Sequence, residues 1–402
     1  MVANKGSVLP ILTLWFIVSP VLSFEETADP GVVYITLLSV PILYCGLKYR
    51  LFNIKPYHAS ALLMFLFGLF STIVGPYGNL DISNLCKYLL FVIVFIALTN
   101  YKYNDVEICR ITKIYIYISI AVAILIFLSF LGGYQHLDRD VVDGTTQFLG
   151  RYSVGITGVY KNPNYLTSFI NVACFVLLFK LLKGKETRNK KLLYAIIILF
   201  FFVSIILTGT RTALLTFSSV FILLFASNFL RASKIGVSIF IIAIMGLLIW
   251  IYQKEINDFI ELYLGTRELL GDESRETAWS FALSKLKDNW MFGCGIGTWE
   301  TLSKNTSMLQ WLHNVFLEFV LNQGLMGLLL LVYTFLYGFS KTKKQDRLFL
   351  YVLVFVTALP MMFQNGVVAV NFWRFLIINR IAINYSIYSN DGIVPLVINR
   401  TT

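Results

Sequence analysis

Three arginines in this chain have the chemistry to bind an anion. Arg211 lies in IILTGTRTALLTF, residues 205–217, where two apolar runs meet. Arg275 begins SRETAWSFALSKLKDNWMFG, residues 274–293, which predicts an amphipathic helix that lies flat on the membrane or caps the bundle. Its apolar stripe would consist of Trp279, Ala282, Leu283, Leu286 and Trp290. Arg151 lies in a polar segment nearer the N-terminus. Guanidinium groups bind phosphate through paired hydrogen bonds and stay charged when they are half-desolvated. These residue types therefore indicate a site for a phosphate-bearing ligand.

The residues around Arg211 support that interpretation. Thr208, Thr210 and Thr212 supply hydroxyl groups, and the helix that should follow presents free N–H groups, which favour anions. An interfacial arginine can instead extend its charged end toward lipid headgroups, and this alternative stays open for Arg211 considered alone. Asn164 has a comparable position, because the run Asn-Pro-Asn that it ends is typical of a helix start.

A proton acceptor is available at His313, in QWLHNVFLEFVLNQGLMGLLLL, residues 310–331. Imidazole titrates near neutral pH and can take a proton from a hydroxyl group. Asn314 follows it, and Glu318 lies about a turn and a half further along the predicted helix. A lone histidine at such a boundary can also be structural. The histidines, at positions 58, 136 and 313, have no spacing typical of metal ligands, so no metal site is predicted there.

The elements that must position these residues are membrane helices. Of 402 residues, 57% are hydrophobic and 14% charged, with a mean hydropathy of +0.73, which excludes an ordinary soluble protein. A membrane-spanning helix needs about 20 apolar residues. The sequence therefore predicts an all-α integral membrane protein, a single domain over residues 1–402. About twelve spans of this length are predicted, at 8–23, 31–49, 59–75, 84–100, 111–132, 163–182, 192–209, 211–230, 234–252, 314–338, 347–364 and 367–389.

The distribution of charge predicts how these spans are oriented. Basic residues concentrate in alternate connections, at 48–55, 102–113, 180–191, 231–234 and 341–347. Because such loops stay in the cytoplasm, both termini should be cytoplasmic. The net charge of +11 then reflects topology, and no nucleic-acid partner is expected.

Two long outer connections interrupt this pattern. One covers 132–162, between spans 5 and 6, and the other, partly helical, covers 253–313, between spans 9 and 10. Long ordered loops on one side are where binding and catalysis usually concentrate. Asp138, Asp140 and Asp143 in the first of them suggest either a metal clamp or a solvated acidic turn, and the second interpretation is favoured because no supporting ligands are present.

Two further motifs have mainly structural interpretations. GCGIG, residues 293–297, follows no predicted strand, so it favours a turn that permits close backbone packing over a nucleotide loop. Charged residues within spans, Glu318 and Arg374 among them, are costly in lipid and must face the interior of the bundle. Whether these two act in chemistry or in contacts between helices stays open. The five cysteines form no disulfide framework or metal cluster.

The topology places Arg151, Arg211, Arg275 and His313 on one face of the membrane, although they come from separate segments. This arrangement fits a pocket for an anionic, lipid-embedded ligand with one base at its edge.

At this point four sequence segments carry a resemblance. They are RYSVGITGVYKNPNYL, LTGTRTALL, RETAWSFALSKLKDNWMFGCGIG and HNVFLEFVLNQGLMGL, in this order across about 151–330. With them the chain resembles the bacterial O-antigen ligase and O-antigen polymerase family of polytopic glycosyltransferases. The remainder matches that family only in hydropathy.

The resemblance implies glycosyl transfer at the periplasmic face of the bacterial inner membrane. The donor would be a glycan on an undecaprenyl-diphosphate carrier, and neither a cofactor nor a metal ion would be required. Arg211 and Arg275, with Arg151, would bind the diphosphate, and His313 would activate the acceptor hydroxyl, most simply with inversion. Asn314, Glu318, Asn164 and Thr210 would support this site.

The acceptor decides between two activities. Polymerases transfer to another carrier-linked repeat unit, whereas ligases transfer to lipid A–core. Ligases of this family often carry a polar residue two positions before the His-Asn pair, where this chain has Trp311, so we expect a polymerase. Membrane lipid and a chain-length regulator protein are the further partners expected. A lipid-linked oligosaccharide flippase is the alternative outside enzymology, but it should show internal repeats, and the sequence has none.

Overall fold

The computed structural model describes the chain in ranges with gaps between them. The described residues are 8–22, 32–78, 82–132, 155–156, 159–160, 163–184, 186–208, 210–229, 272–304, 306, 312–362, 370–389 and 393. Their helices are α1 (Leu9–Leu22), α2 (Val32–Lys48), α3 (Pro56–Val74), α4 (Ile82–Asn100), α5 (Asp105–Leu131), α6 (Pro163–Lys183), α7 (Arg188–Leu207), α8 (Arg211–Phe229), α9 (Asp272–Leu286), α10 (Thr298–Lys304), α11 (Val315–Leu336), α12 (Arg347–Met361) and α13 (Val370–Tyr388). Strands β1 (Gly155–Ile156) and β2 (Val159–Tyr160) form a short antiparallel pair.

The helices agree with the hydropathy prediction wherever it can be compared. Every predicted span coincides with a helix except 234–252, which lies outside the described residues. Six helical segments in the described part of the chain are long and apolar enough to cross a membrane: Pro56–Val74, Ile82–Asn100, Asp105–Leu131, Leu166–Lys183, Arg188–Leu207 and Val315–Lys341. The helical membrane class is therefore confirmed, whereas the total of twelve spans stays a prediction.

Helix α13 lies at the centre of the bundle. Trp373 has no exposed surface, and its indole ring packs against Tyr88, Phe91 and Phe95 of α4 with ring centroids 5.8–6.0 Å apart. Contacts also join α13 to α1, α11 and α12. Most of the described side chains of α13 are buried, the two arginines included, so neighbouring helices enclose it on all sides.

Three of the basic connections meet at one end of the bundle, which we call the basic end. The side-chain amide of Asn100 donates to the carbonyls of Leu51 and Asn53 at 2.8 and 2.7 Å, joining the connections after α2 and α4. The Lys343 Nζ donates to the carbonyl of Ser389 at 2.5 Å, which brings the connection before α12 to the end of α13. The positive-inside prediction requires the basic connections to lie at one end of the bundle, and these three connections do.

The start of the described chain lies at the same basic end. The hydroxyls of Thr13, in α1, and Tyr103, in the α4–α5 connection, share a hydrogen bond of 2.8 Å. The two ends of the described chain therefore lie on one side of the bundle. Their assignment to the cytoplasm remains a prediction from charge.

Helix α11 is broken in its middle. Gly324 has φ +63° and ψ −166°, a conformation that residues with a Cβ rarely adopt. Non-helical backbone at membrane depth requires new hydrogen-bond partners. The loop after α9 supplies them, and we call residues 289–297 the inserted loop.

The inserted loop pairs with both halves of α11. The N–H groups of Cys294 and Gly295 donate to the carbonyls of Leu321 and Asn322 at 2.7 and 3.0 Å. On the other side of the break, the N–H of Leu325 donates to the carbonyl of Trp290 at 2.9 Å. The backbone groups that the break frees are thus bonded to a segment distant in sequence.

Glycine permits this close approach. A Cβ on Gly324 would lie 2.3 Å from the carbonyl oxygen of Met291, and one on Gly293 would lie 2.5 Å from the backbone nitrogen of Gln323. The end of α3 holds the loop from the opposite side, where the Ser71 hydroxyl donates to the carbonyl of Phe292 at 2.6 Å. The prediction that GCGIG is a close-packing turn is confirmed.

Candidate functional site

The candidate site lies at the end of the bundle opposite the basic end. Helices α6, α8, α11 and α13 converge there through contacts near their N-termini. Arg374 of α13 donates to the Ser168 hydroxyl of α6 at 3.2 Å, and the Asn171 amide of α6 donates to the carbonyl of Ala213 of α8 at 3.1 Å. Phe319 of α11 packs on Phe372 of α13, with ring centroids 6.2 Å apart.

His313 occupies the residue before the cap of α11, and its backbone is left-handed. Its φ is +52°, which is uncommon for a residue other than glycine, although histidine adopts it more readily than most. Conformations of this kind cost about 1–3 kcal/mol and are often found at functional sites. The side chain is half-buried, as expected for a group at the edge of a pocket.

The residues on either side hold His313 in this conformation. Leu312 is buried, and its carbonyl accepts a hydrogen bond of 2.8 Å from the indole Nε1 of Trp279. Asn314 is the N-cap of α11, and its side-chain oxygen accepts from the N–H of Leu317 at 3.0 Å. Asn314 therefore supports His313 through the backbone, as a cap residue does.

Helix α9 lies against α11 as a cap on the bundle. Ala278, Ala282 and Leu286, spaced four residues apart, are buried in a satellite core with Cys294 and Leu312. Cys294 lies in the connection after α9, and burial raises the pKa of its thiol. The packing resolves the question of whether this amphipathic stretch lies flat on the membrane or covers the bundle.

Two details of the predicted amphipathic helix were wrong. The helix was expected to cover 274–293, but it covers Asp272–Leu286, because the following residues leave the helix to bond with the break in α11. Leu283 and Trp290 were placed on its apolar stripe, but they are 54% and 53% exposed. The buried stripe is shifted toward the alanines.

The predicted arginines are placed by their backbones only. Arg211 is the first residue of α8, and Arg275 is the fourth residue of α9, one turn before Trp279. Asn164 lies in the first turn of α6. The side chains of these three residues, and all of Arg151, lie outside what the structure describes.

Thr210 and Glu318 have local roles that can be described. The Thr208 hydroxyl donates to that of Thr210 at 3.0 Å, and both threonines are buried in the turn that leads into α8. Glu318 lies in the first turn of α11, where a carboxylate interacts favourably with the helix dipole. It is half-buried, so the prediction that it faces the interior is only partly met.

Arg374 is the polar residue that the sequence analysis did not assign to the site. It has no exposed surface, and its guanidinium packs on the rings of Phe375 and Phe169, at 4.3 and 5.6 Å from their centroids. The prediction of an interior position is confirmed. The sequence also contained a signal for a functional role of Arg374, because an ionisable residue inside a membrane span indicates function by default.

The arrangement therefore combines a half-buried imidazole, held in a strained backbone, with helix N-termini at one end of a bundle. Such a site can bind an anion and remove a proton from a neighbouring hydroxyl. Among the described residues, no group of three or more His, Cys, Asp or Glu side chains lies close enough to hold a metal ion.

Comparison with known proteins identifies the segment that carries most of this site. The model of the O-antigen ligase family matches residues 195–332, from the middle of α7 to near the end of α11. Arg211, Arg275 and His313 lie within the match, whereas Arg151 and Asn164 precede it. No curated protein matches the chain.

The family supports O-antigen ligase or polymerase activity in general, with a lipid-linked glycan as substrate. The long apolar helices agree with a multi-pass membrane protein. Residues 195–332 of the chain are thus similar to the O-antigen ligase family of glycosyltransferase-like enzymes.

Proposed function

We propose that this protein polymerises carrier-linked repeat units of O antigen or a related surface polysaccharide. The donor is a glycan on undecaprenyl diphosphate, and transfer takes place at the periplasmic face of the inner membrane. The observation that carries the proposal is the position of His313. It is held left-handed between the N-cap Asn314 and Leu312, whose carbonyl is bonded to the helix that also carries Arg275.

The chemical step is a single displacement. The acceptor hydroxyl loses its proton to the imidazole of His313, and its oxygen attacks the anomeric carbon of the donor sugar. The bond from that carbon to the diphosphate oxygen breaks, and the diphosphate leaves with the electron pair. Attack opposite the leaving group inverts the anomeric carbon. The carrier linkage supplies the driving force, so no nucleotide is consumed.

The arginines stabilise the departing diphosphate. Negative charge develops on its oxygens in the transition state, and fixed cations close to that charge lower the barrier. We assign this role to Arg211 and Arg275, with Arg151 as a third cation. The proposal assigns no step to a metal ion, so EDTA should leave the activity of the purified enzyme unchanged.

The location of the site supports a periplasmic reaction. His313 lies at the end of the bundle opposite the basic connections, and basic connections favour the cytoplasm. A diphosphate carrier has its reactive bond at the membrane surface, which is where the N-termini of α6, α8 and α11 converge.

Ligation to lipid A–core is the second candidate, and it is equally consistent with the family match. Trp311, where a ligase often has a polar residue, favours polymerisation. A strain lacking the gene distinguishes the two by its lipopolysaccharide. Cores that carry one repeat unit indicate a lost polymerase, whereas long chains left on the carrier indicate a lost ligase.

Complementation of that strain tests the site residues. His313→Ala should reduce long-chain glycan about 10²–10⁴-fold, and Arg211→Ala or Arg275→Ala about 10²–10³-fold. Lys287→Ala is the matched control, because Lys287 is an exposed cation just after α9. Immunoblotting checks that protein levels are equal. Full activity of the His313 variant would overturn the assignment of the base.

A further inference from the structure

Two adjoining cavities lie at the basic end, away from the proposed active site. One is a polar cavity of about 230 Å³ between the start of α3, the α4–α5 connection and the end of α13. The other is an apolar cavity of about 120 Å³ between α1, α5, α6, α12 and α13. Ile381 and Tyr385 of α13 line both cavities and so form a wall that the two share.

We propose that these cavities form a binding site for an anionic phospholipid of the inner leaflet. The phosphate occupies the polar cavity, and part of one acyl chain occupies the apolar cavity. The site does not depend on the reaction proposed above.

The polar cavity carries excess positive charge. Lys55 and Lys102 line it, and Asp105 is the acidic residue among its lining residues. Burial, followed by the positive charges of Arg380 and Lys102, lowers the pKa of Lys55, so both cations repel the Lys55 ammonium group. A bound phosphate would relieve that repulsion.

Arg380 adds a buried charge whose partners are neutral. It is 1% exposed, and its guanidinium donates to the carbonyl of Tyr337 at 2.7 Å and to the Asn384 side-chain oxygen at 3.2 and 3.3 Å. It also lies over the ring of Tyr57, at 4.1 Å from the centroid. No carboxylate pairs with it within the described part of the chain, although buried charges are usually compensated.

In the described part of the structure, Lys55, which lines the polar cavity, has aromatic rings rather than a carboxylate beside its ammonium group. Its Nζ lies 5.8 Å from the ring centroid of Tyr57 and 5.4 Å from that of Tyr388, and the described residues give it no ion pair. The Tyr385 hydroxyl donates to Asp105. Among the residues that line the cavity, this single carboxylate faces the two lysines Lys55 and Lys102. The cavity therefore retains a requirement for an anion.

The apolar cavity is suited to hydrocarbon. Ile17, Ile111, Val176, Leu353 and Ile378 are among its lining residues. Ile111 lies in the second turn of α5, near the basic end, whereas Ile378 lies at the middle of α13, so the cavity extends from the basic end into the middle of the bundle. An acyl chain attached to a phosphate in the polar cavity would extend into the apolar cavity. It would then point from the basic end toward the middle of the membrane, as the tails of cytoplasmic-leaflet lipids do.

Native mass spectrometry of the purified full-length protein tests the site. The protein is incubated with phosphatidylglycerol or, separately, with phosphatidylcholine, and bound lipid is counted per chain. We expect one phosphatidylglycerol that resists removal and no comparable phosphatidylcholine. Equal retention of the two lipids, or none, would overturn the proposal. A polyprenyl phosphate that displaces phosphatidylglycerol at equal concentration would overturn the choice of a phospholipid.

Variants separate the two cavities. Lys55→Gln with Lys102→Gln should weaken phosphatidylglycerol binding about thirtyfold, from the attraction expected for two basic residues at an anionic lipid surface. Lys341→Gln with Lys344→Gln is the matched control, because both are exposed at the same end outside the cavity. Ala382→Leu fills the apolar cavity and should weaken binding while every cation remains. Size-exclusion profiles verify folding, and unchanged binding in both cavity variants would refute the assignment.

Discussion

The indole Nε1 of Trp279 donates a hydrogen bond of 2.8 Å to the carbonyl of Leu312, the residue before His313. This bond joins α9, which carries Arg275, to the backbone of the proposed base. The position of the base therefore depends on a helix that begins about forty residues earlier in the chain.

Removal of this hydrogen bond should reduce activity without unfolding the protein. Trp279→Phe keeps an aromatic ring but leaves the Leu312 carbonyl without its donor, and one hydrogen bond contributes roughly 1 kcal/mol. We expect about a fivefold to tenfold loss of long-chain glycan at equal protein level. Trp290→Phe, at an exposed tryptophan in the same segment, is the control. Equal ladders from both variants would show that the bond does not position His313.

Two substitutions of His313 separate its chemistry from its backbone. His313→Asn should fold normally, because asparagine tolerates the left-handed region, but it should lack activity. His313→Val should lack activity and also lose about 1–2 kcal/mol of stability, because a β-branched residue is strained at φ +52°. Thermal unfolding in detergent measures the difference. If the two variants unfold at the same temperature, the left-handed conformation is not maintained in solution.

The break in α11 should not accept a side chain. Gly324→Ala places a Cβ 2.3 Å from a backbone oxygen at a positive φ, so we expect a loss of more than about 3 kcal/mol and little folded protein.

Gly338→Ala is the control for this prediction. Gly338 has a similar φ, +75°, but the nearest atom to its Cβ position is a side-chain carbon at 3.3 Å. It should cost only about 1 kcal/mol. Size-exclusion yield and unfolding temperature compare the two, and comparable behaviour would mean that the inserted loop can move away from α11.

The Cys294 thiol should resist alkylation in the folded protein. It is fully buried, and burial raises its pKa above the ordinary value of 9.0. The Cys294 thiol loses its proton at a higher pH in the folded protein than in the unfolded protein. Its contribution to stability is therefore fully present at pH values below 9.0. This stability is lost as the pH rises through the folded-state pKa. Peptide mapping after maleimide treatment should find Cys86, which is exposed, labelled and Cys294 unlabelled. Equal labelling would contradict the packing of the inserted loop.

Hydropathy was sufficient to predict the helices, because a bilayer imposes a length and a composition on each span. The turn at GCGIG was predictable for a related reason, since glycines without a preceding strand have few other uses. The site residues were predictable by residue type and by side of the membrane, because both properties can be read from the neighbouring sequence alone.

The features that the sequence did not reveal depend on partners distant in the chain. The amphipathic helix ends at Leu286 because residues 290–295 form hydrogen bonds with α11. No sequence pattern within 274–293 predicts that pairing. Likewise, Arg380 lies within an apolar stretch that resembles any other span. Its role at the basic end becomes apparent only when Lys55 and Lys102 are brought beside it.

The inserted loop has a consequence for changes in the length of the chain. Surface connections normally tolerate added or deleted residues, but residues 290–295 form the hydrogen-bonded partner of a broken helix. One extra residue there would shift every bond out of register and leave buried N–H and carbonyl groups unmatched. Although this segment belongs to a connection between helices, its length is fixed by its hydrogen bonds to α11, so residues can be added or deleted only elsewhere in that connection.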